Sequence, residues 1–262
     1  MGRQISGHVR FRKAEETAGF TSEKLIDAIE GAYIGKRRDS GWVQKKTFSP
    51  SSLGYGHAVC PRFWYLSFEG YNYIDNTDAK GIVTMETGTV SHQRIQSALR
   101  DAGILLAEEI EVKLTDPPIR GFVDVLVQVG EDVVIGEIKT TGQDIFNLKQ
   151  LSMKPSPNHL IQILTYMKGT GKDKGFLLYE NRNDLSLLVI EVNMNETNEA
   201  IIENVFNWLR EVRSAWENKE LPMRPFRKQD GKVCMACPIN KSCWVGNPEG
   251  TIKINKMEVP KP

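Results

Sequence analysis

Along residues 86–102, ETGTVSHQRIQSALRDA, the apolar positions Ile95, Ala98, Leu99 and Ala102 recur at helical spacing and Gly103 ends the run, which predicts an amphipathic helix. His92 precedes Ile95 by one turn and is expected on the same inward face. Three strand-like runs follow: ILLAEEIEV from 104, IRGFVDVLVQV from 119 and DVVIGEIKTT from 132. Gly130-Glu131 joins the last two, and a glycine leading a two-residue loop suits a type II′ hairpin. That turn pairs Val129 with Asp132, sets Asp124 opposite Glu137 and points Lys139 to the same face as Glu137. A second helical run, NHLIQILTYMK over 158–168, places Gln162 and Tyr166 one turn apart on one face, and GFLLYENR from 175 reads as the next strand. The expected order is helix, three strands, helix, strand, with the last two joined as a right-handed crossover.

The flanks carry two more helical patterns. Residues 20–35 hold Leu25, Ile26, Ile29 and Tyr33 at helical spacing behind a Thr21/Ser22 cap, and 196–218 place Ile201, Ile202, Val205, Phe206, Leu209 and Val212 inward. The chain is expected to divide into a helical and basic extension (1–48), a central domain (49–247) and a flexible tail (248–262).

Composition narrows the class. The 262 residues are 40% hydrophobic and 26% charged, enough to bury a substantial core. Lys and Arg (34) balance Asp and Glu (33) to a net charge of +1, so any nucleic-acid site must be a local patch rather than a global field. One such patch is the run GKRRDSGWVQKK at 35–46, where Trp42 sits among Lys36, Arg37, Arg38, Lys45 and Lys46; a strand-tracking surface and a solvated loop are equally compatible with it. No apolar run approaches a membrane span and the polar opening has no apolar segment to act as a signal, so a cytoplasmic location with no membrane contact is expected.

Four cysteines in a reducing compartment argue against two structural disulfides. Cys234, Cys237 and Cys243 crowd into ten residues and Cys60 stands far upstream, so a bound centre would close a loop through most of the chain. A lone cysteine joined to a distant set of three, with Pro238 after Cys237, fits a [4Fe-4S] cluster better than a zinc ribbon's two close pairs; zinc remains the alternative and buried free thiols the third reading. Asp124, Glu137 and Lys139 among Val, Leu and Ile also require a reason, because burying unpaired charge costs several kcal/mol. A divalent cation supplies one; a plain salt bridge of Lys139 with either acid supplies another.

The short motifs Gly88-x3-His92, Gly121-Phe122-Val123-Asp124, Glu137-Ile138-Lys139 and Gln162-x3-Tyr166, in that order, resemble the RecB-type branch of the PD-(D/E)XK nuclease superfamily. With Cys60-Pro61-Arg62 and the three late cysteines, residues 50–245 resemble its iron-sulfur members, the CRISPR-associated RecB-like exonucleases and the AddB nuclease domain. The resemblance implies an α/β, restriction-endonuclease-like core, a mixed central sheet flanked by helices in the order αβββαβ, its helical flanks joined by the four-cysteine site. It implies that His92, Asp124, Glu137 and the Ile138 carbonyl hold one or two Mg2+ or Mn2+ ions, that Lys139 positions the attacking water, and that Gln162 and Tyr166 line the groove as an exposed amide and phenol. The implied reaction is metal-dependent DNA exonucleolysis, on single strands or ends, in recombination, repair, replication or CRISPR-type processing. The GTGKDKG segment at 169–175 lacks the spacing of a phosphate-binding loop, so unwinding would fall to a helicase, recombination or adaptation partner. A non-catalytic DNA-binding or assembly subunit on the same fold is the alternative, and the presence of all three of Asp124, Glu137 and Lys139 speaks against it.

Overall fold

The structure, a computed structural model, describes residues 20–38, 44–75, 77–246 and 248–260. Trp42 of the basic run lies outside the described residues. Helix α1 (Ser22–Arg38) comes first, then two 3-10 turns (Pro50–Ser52 and Gly56–Val59), α2 (Pro61–Phe68) and α3 (Ala79–Asp101). Strands β1 (Leu105–Thr115), β2 (Pro118–Val129) and β3 (Asp132–Thr141) follow, then α4 (Gln143–Ser152), α5 (Pro157–Thr170), β4 (Lys174–Asn181), β5 (Leu187–Asn193) and α6 (Glu196–Glu217). Two short helices, α7 (Lys232–Met235) and α8 (Asn240–Trp244), carry Cys234 and Cys243, with Cys237 between them.

The five strands form one sheet in sequence order, antiparallel except where β3 runs parallel to β4. This is an α/β fold whose mixed sheet is flanked by helices, consistent with a restriction-endonuclease-like core. The β2–β3 hairpin has the register the turn predicts: Gly130 takes φ +61° and Val129 faces Asp132. The ladder runs to Val125↔Gly136 and then parts. Asp124 bridges the opening by accepting the Ile138 N–H on Oδ2 at 2.7 Å.

Several elements depart from the sequence pattern. Helix α3 begins at Ala79, well before residue 86, because the Asp78 side chain caps it by accepting the Gly81 N–H at 2.7 Å. Helix α4 turns Leu148 and Leu151 outward, so it shows no inward stripe, and β5 extends the sheet by pairing with β4. At the expected boundary of 48/49, Phe48 is fully buried, bridges Ile119, and packs edge-on against Trp64 and Phe68. Part of the segment from 248 to 260 packs against the domain. Ile254 and Met257 are each 2% exposed, the Met257 N–H bonds the Val59 carbonyl, and Pro222 bridges Ile252. Apolar residues at 252, 254 and 257 give that segment a face to bury, which its polar composition conceals.

The core has two parts. Ile135, Ile163, Leu177, Val205 and Leu209 belong to a large cluster joining the sheet to α2, α5 and α6, whereas Ile95 of α3 joins Val125, Val127, Ile138 and Leu178 in a second. Ser91 and Arg94 of α3 both hydrogen-bond the buried carboxylate of Glu180 on β4, which ties the helix carrying His92 to the sheet. Among the described residues no helix is long and apolar enough to cross a membrane.

Candidate active site

Local strand geometry brings the two carboxylates together where β2 and β3 diverge. Asp124 and Glu137 are both buried, and Lys139 donates to Glu137 Oε1 at 2.7 Å. Gln162, from α5, donates to that same oxygen at 2.6 Å. The other oxygen, Oε2, is buried with no hydrogen-bond partner, an arrangement that costs about 1–3 kcal/mol or more for a charged group. Burial pushes the Glu137 carboxyl up to about 8, with Lys139 pulling against the rise and Asp124 adding to it. Burial also raises Asp124, against the opposing pull of His92, the Ile138 N–H and Lys139.

His92 is half-buried, its Nδ1 3.6 Å from Asp124 Oδ1. One turn along α3, Gln96 donates to the Asp124 carbonyl at 3.0 Å and so holds the strand at this point. The sequence reading passed over Gln96, although its i+4 spacing from His92 on an inward face was a usable signal. The side chain of Ile138 packs with the α3 cluster, and its N–H is the one engaged by Asp124.

Gln162 and Tyr166 are not the exposed amide and phenol expected: they are 3% and 2% exposed. Helix α5 packs directly on the sheet, so its polar groups are spent on protein partners. Gln162 braces Glu137, and the Tyr166 hydroxyl lies 3.4 Å from Gln162 Nε2. Burial drives the Tyr166 phenol well above its usual range. Gly121 makes this possible. A Cβ there would stand 2.9 Å from both Tyr166 Oη and Pro50 Cδ. Gly121→Ala should therefore cost about 1–3 kcal/mol of stability through overpacking and misplace the neighbouring Phe122 and Asp124; chemical denaturation beside a cleavage assay checks it, and unchanged values for both would refute the tight fit.

These residues line an open groove of about 1080 Å3. Its wall adds Lys45, Lys46, Lys113 and Arg120, so cations surround an acidic floor. Lys45 and Lys46 belong to the basic run that the sequence singled out; Lys113 and Arg120 lie on β1 and β2, where strand alternation gave no reason to choose them.

A second cavity is lined by the four cysteines together with His57, Phe63, Trp244 and other largely apolar residues. All four are free thiols. Cys60 is the N-cap of α2 and makes no side-chain cap hydrogen bond, while the Arg62 guanidinium lies near Cys60 and Cys243. The buried Arg62 also bonds the carbonyls of Pro222, Pro248 and Glu249, locking the chain beside the late cysteines to α2. Burial pushes Cys60 and Cys237 up to about 12. Among the described residues no group of three or more His, Cys, Asp or Glu is gathered as a finished cage for a metal ion. The thiols share a cavity without closing on a single point.

The profile of the PD-(D/E)XK nuclease superfamily matches residues 93–244. The chain belongs to that superfamily. The matched span contains Asp124, Glu137, Lys139, Gln162, Tyr166 and the three late cysteines, with His92 just before it and Cys60 well upstream. Among solved structures, this nuclease-superfamily chain is similar to an alkaline exonuclease, LHK-Exo, from Laribacter hongkongensis, with TM-score 0.51 and 16% identity over 74% of this chain and 95% of that one. It is also similar to LHK-Exo in complex with dAMP (0.49, 15%, 76% and 96%) and to SSO0001 (0.45, 15%, 88% and 98%). No curated protein sequence matches the chain. At such identities the first of these likenesses speaks for the fold.

Proposed function

We propose that this protein is a metal-dependent deoxyribonuclease, an exonuclease acting on single strands or DNA ends, with Asp124, Glu137 and Lys139 as its catalytic core. The observation that carries the reading is the orphaned Oε2 of Glu137, buried beside Asp124 at the floor of a cation-walled groove. Buried carboxylates with an unsatisfied oxygen and a nearby imidazole are a donor set suited to Mg2+ or Mn2+. Bound there, held by His92, Asp124, Glu137 and the Ile138 carbonyl, such a cation would supply a nucleophile at neutral pH and neutralise charge on the phosphodiester. Lys139, half-buried against Glu137, orients the attacking water and offsets charge on the scissile phosphate. Gln162 keeps Glu137 in place, and Tyr166 packs tightly on Gly121, three residues before Asp124. No covalent nucleophile is needed.

The cysteine cavity suits a [4Fe-4S] cluster, with zinc as the alternative. Four free thiols lining one cavity among largely apolar groups, with the Arg62 guanidinium close by, match what a thiolate-bound centre of net negative charge requires. Its role here is to clamp α2 to the α7–α8 segment.

End-labelled single and double strands incubated with Mn2+ test the proposal: short labelled products from the single strand are expected, and no cleavage with any divalent cation would overturn it. The metal site has a reading of its own without DNA. A carboxyl raised to about 8 in the fold favours the protonated native state. That stability is fully present below the ordinary carboxylate pKa of about 4.3 and is lost as the pH climbs through about 8. A cation replacing the proton should therefore raise the melting temperature more at about pH 8 than at about pH 6.

A further inference from the structure

Phe122 stands out in the groove. Its ring is 44% exposed although it lies on a central strand two residues from a buried catalytic carboxylate. The other well-exposed aromatics among the described residues, Phe20, Tyr55 and Tyr71, do not line the groove. The backbone beneath Phe122 is held by its ladder position opposite Glu111 and by the close packing of Tyr166 over the neighbouring Gly121. Arg120 lays its guanidinium over the ring at 5.7 Å, and Arg120 and Lys113 are both steadied by Glu111, at 2.6 Å and 2.8 Å. An exposed phenyl on a rigid strand, flanked by fixed cations in the groove that holds the reactive centre, has the composition of a nucleotide subsite.

We propose that Phe122 is a base-stacking platform for the nucleotide adjoining the scissile phosphate, with Arg120 and Lys113 contacting the next phosphate, and that this subsite makes the enzyme prefer unpaired strands. The inference rests on the nuclease reading and adds the residue that sets its substrate preference. Two residues of strand cover about 6.6 Å, so a base on Phe122 belongs to the nucleotide beside the one whose phosphate reaches Asp124. A base inside a duplex has both faces covered by its neighbours and cannot offer one to the ring. An unpaired base can, and each such stack contributes about 1–3 kcal/mol.

The test is strand affinity measured on the Lys139→Ala background, where cleavage does not interfere. Phe122→Ala should weaken binding of a single strand by about 5- to 150-fold, Phe122→Leu should weaken it similarly, and Phe122→Trp should retain it. Duplex affinity should change by less than about twofold, so the preference for single strands collapses. An abasic site at the stacked position should reproduce the loss, and Phe122→Ala should then add nothing further. Equal single-strand affinity for the Phe122→Ala and parent proteins, or additive losses with the abasic strand, would overturn the subsite. Because these readings need no turnover, they are separate from the end-labelled assay, whose failure would instead remove the nuclease reading.

Discussion

Lys139→Ala should lower DNA cleavage by roughly 10²- to 10⁴-fold, the range lost when a positioned proton-handling group is removed, while the protein stays folded and still binds single strands. Lys139 is the cleanest of the proposed catalytic positions because its side chain, 19% exposed, is the least buried of the three. Its removal opens no cavity in the core and leaves both carboxylates in place. Asp124→Ala and Glu137→Ala should abolish cleavage as completely, by removing the donors that define the cation site. Glu137→Ala also deprives Gln162 of the acceptor it donates to, which adds a stability cost of about 1–3 kcal/mol. Turnover and strand affinity measured for all three variants check the assignment. Mn2+-dependent cleavage within a few-fold of the parent in every one would sink it.

Cys60→Ser should lose the bound centre and lower the melting temperature by on the order of 10 °C. The link from Cys60 to Cys234 closes a loop of about 175 residues, for which the chain-entropy treatment of a cross-link gives roughly 4 to 5 kcal/mol. A hydroxyl is a poor replacement for a thiolate as a ligand to iron or zinc in a cavity lined largely by apolar groups. The loss should reach the groove as well. The 3-10 turn before Cys60 leads back to Pro50, whose ring touches the space over Gly121, so loosening this segment frees the wall beside Phe122 and Tyr166. Anaerobically purified parent protein should be brown with about four irons per chain. Colourless protein with one zinc would keep the clamp and replace the cluster, whereas a fully metallated and equally stable Cys60→Ser variant would remove Cys60 from the ligand set.

What the sequence by itself determined lies where contacts are local. The alternation of β2 and β3 and the glycine at 130 set the hairpin register, and that register carries Asp124 to the edge of Glu137 and Lys139. The period of α5 likewise put Gln162 and Tyr166 on one face. A two-residue turn and a strand period of two leave few alternatives, so these placements need no knowledge of the rest of the chain. Which way those faces look was decided by tertiary packing. Tyr166 is buried because α5 lies on the sheet and Gly121 leaves room for its ring, and Phe122 is exposed because, among the described residues, only the Arg120 guanidinium lies over its ring. The tail from 251 to 258 reads as polar and loose, yet its few apolar residues lie in grooves made by segments distant in sequence. Cys60 and the late cysteines show the division most plainly. The crowding of three thiols is visible in a ten-residue window, but their meeting with the fourth depends on α2, α6 and Arg62 closing a loop through most of the protein. Local backbone periodicity encodes neighbours a few residues apart; closure over such distances is set by which buried surfaces fit one another, and only the folded chain shows that.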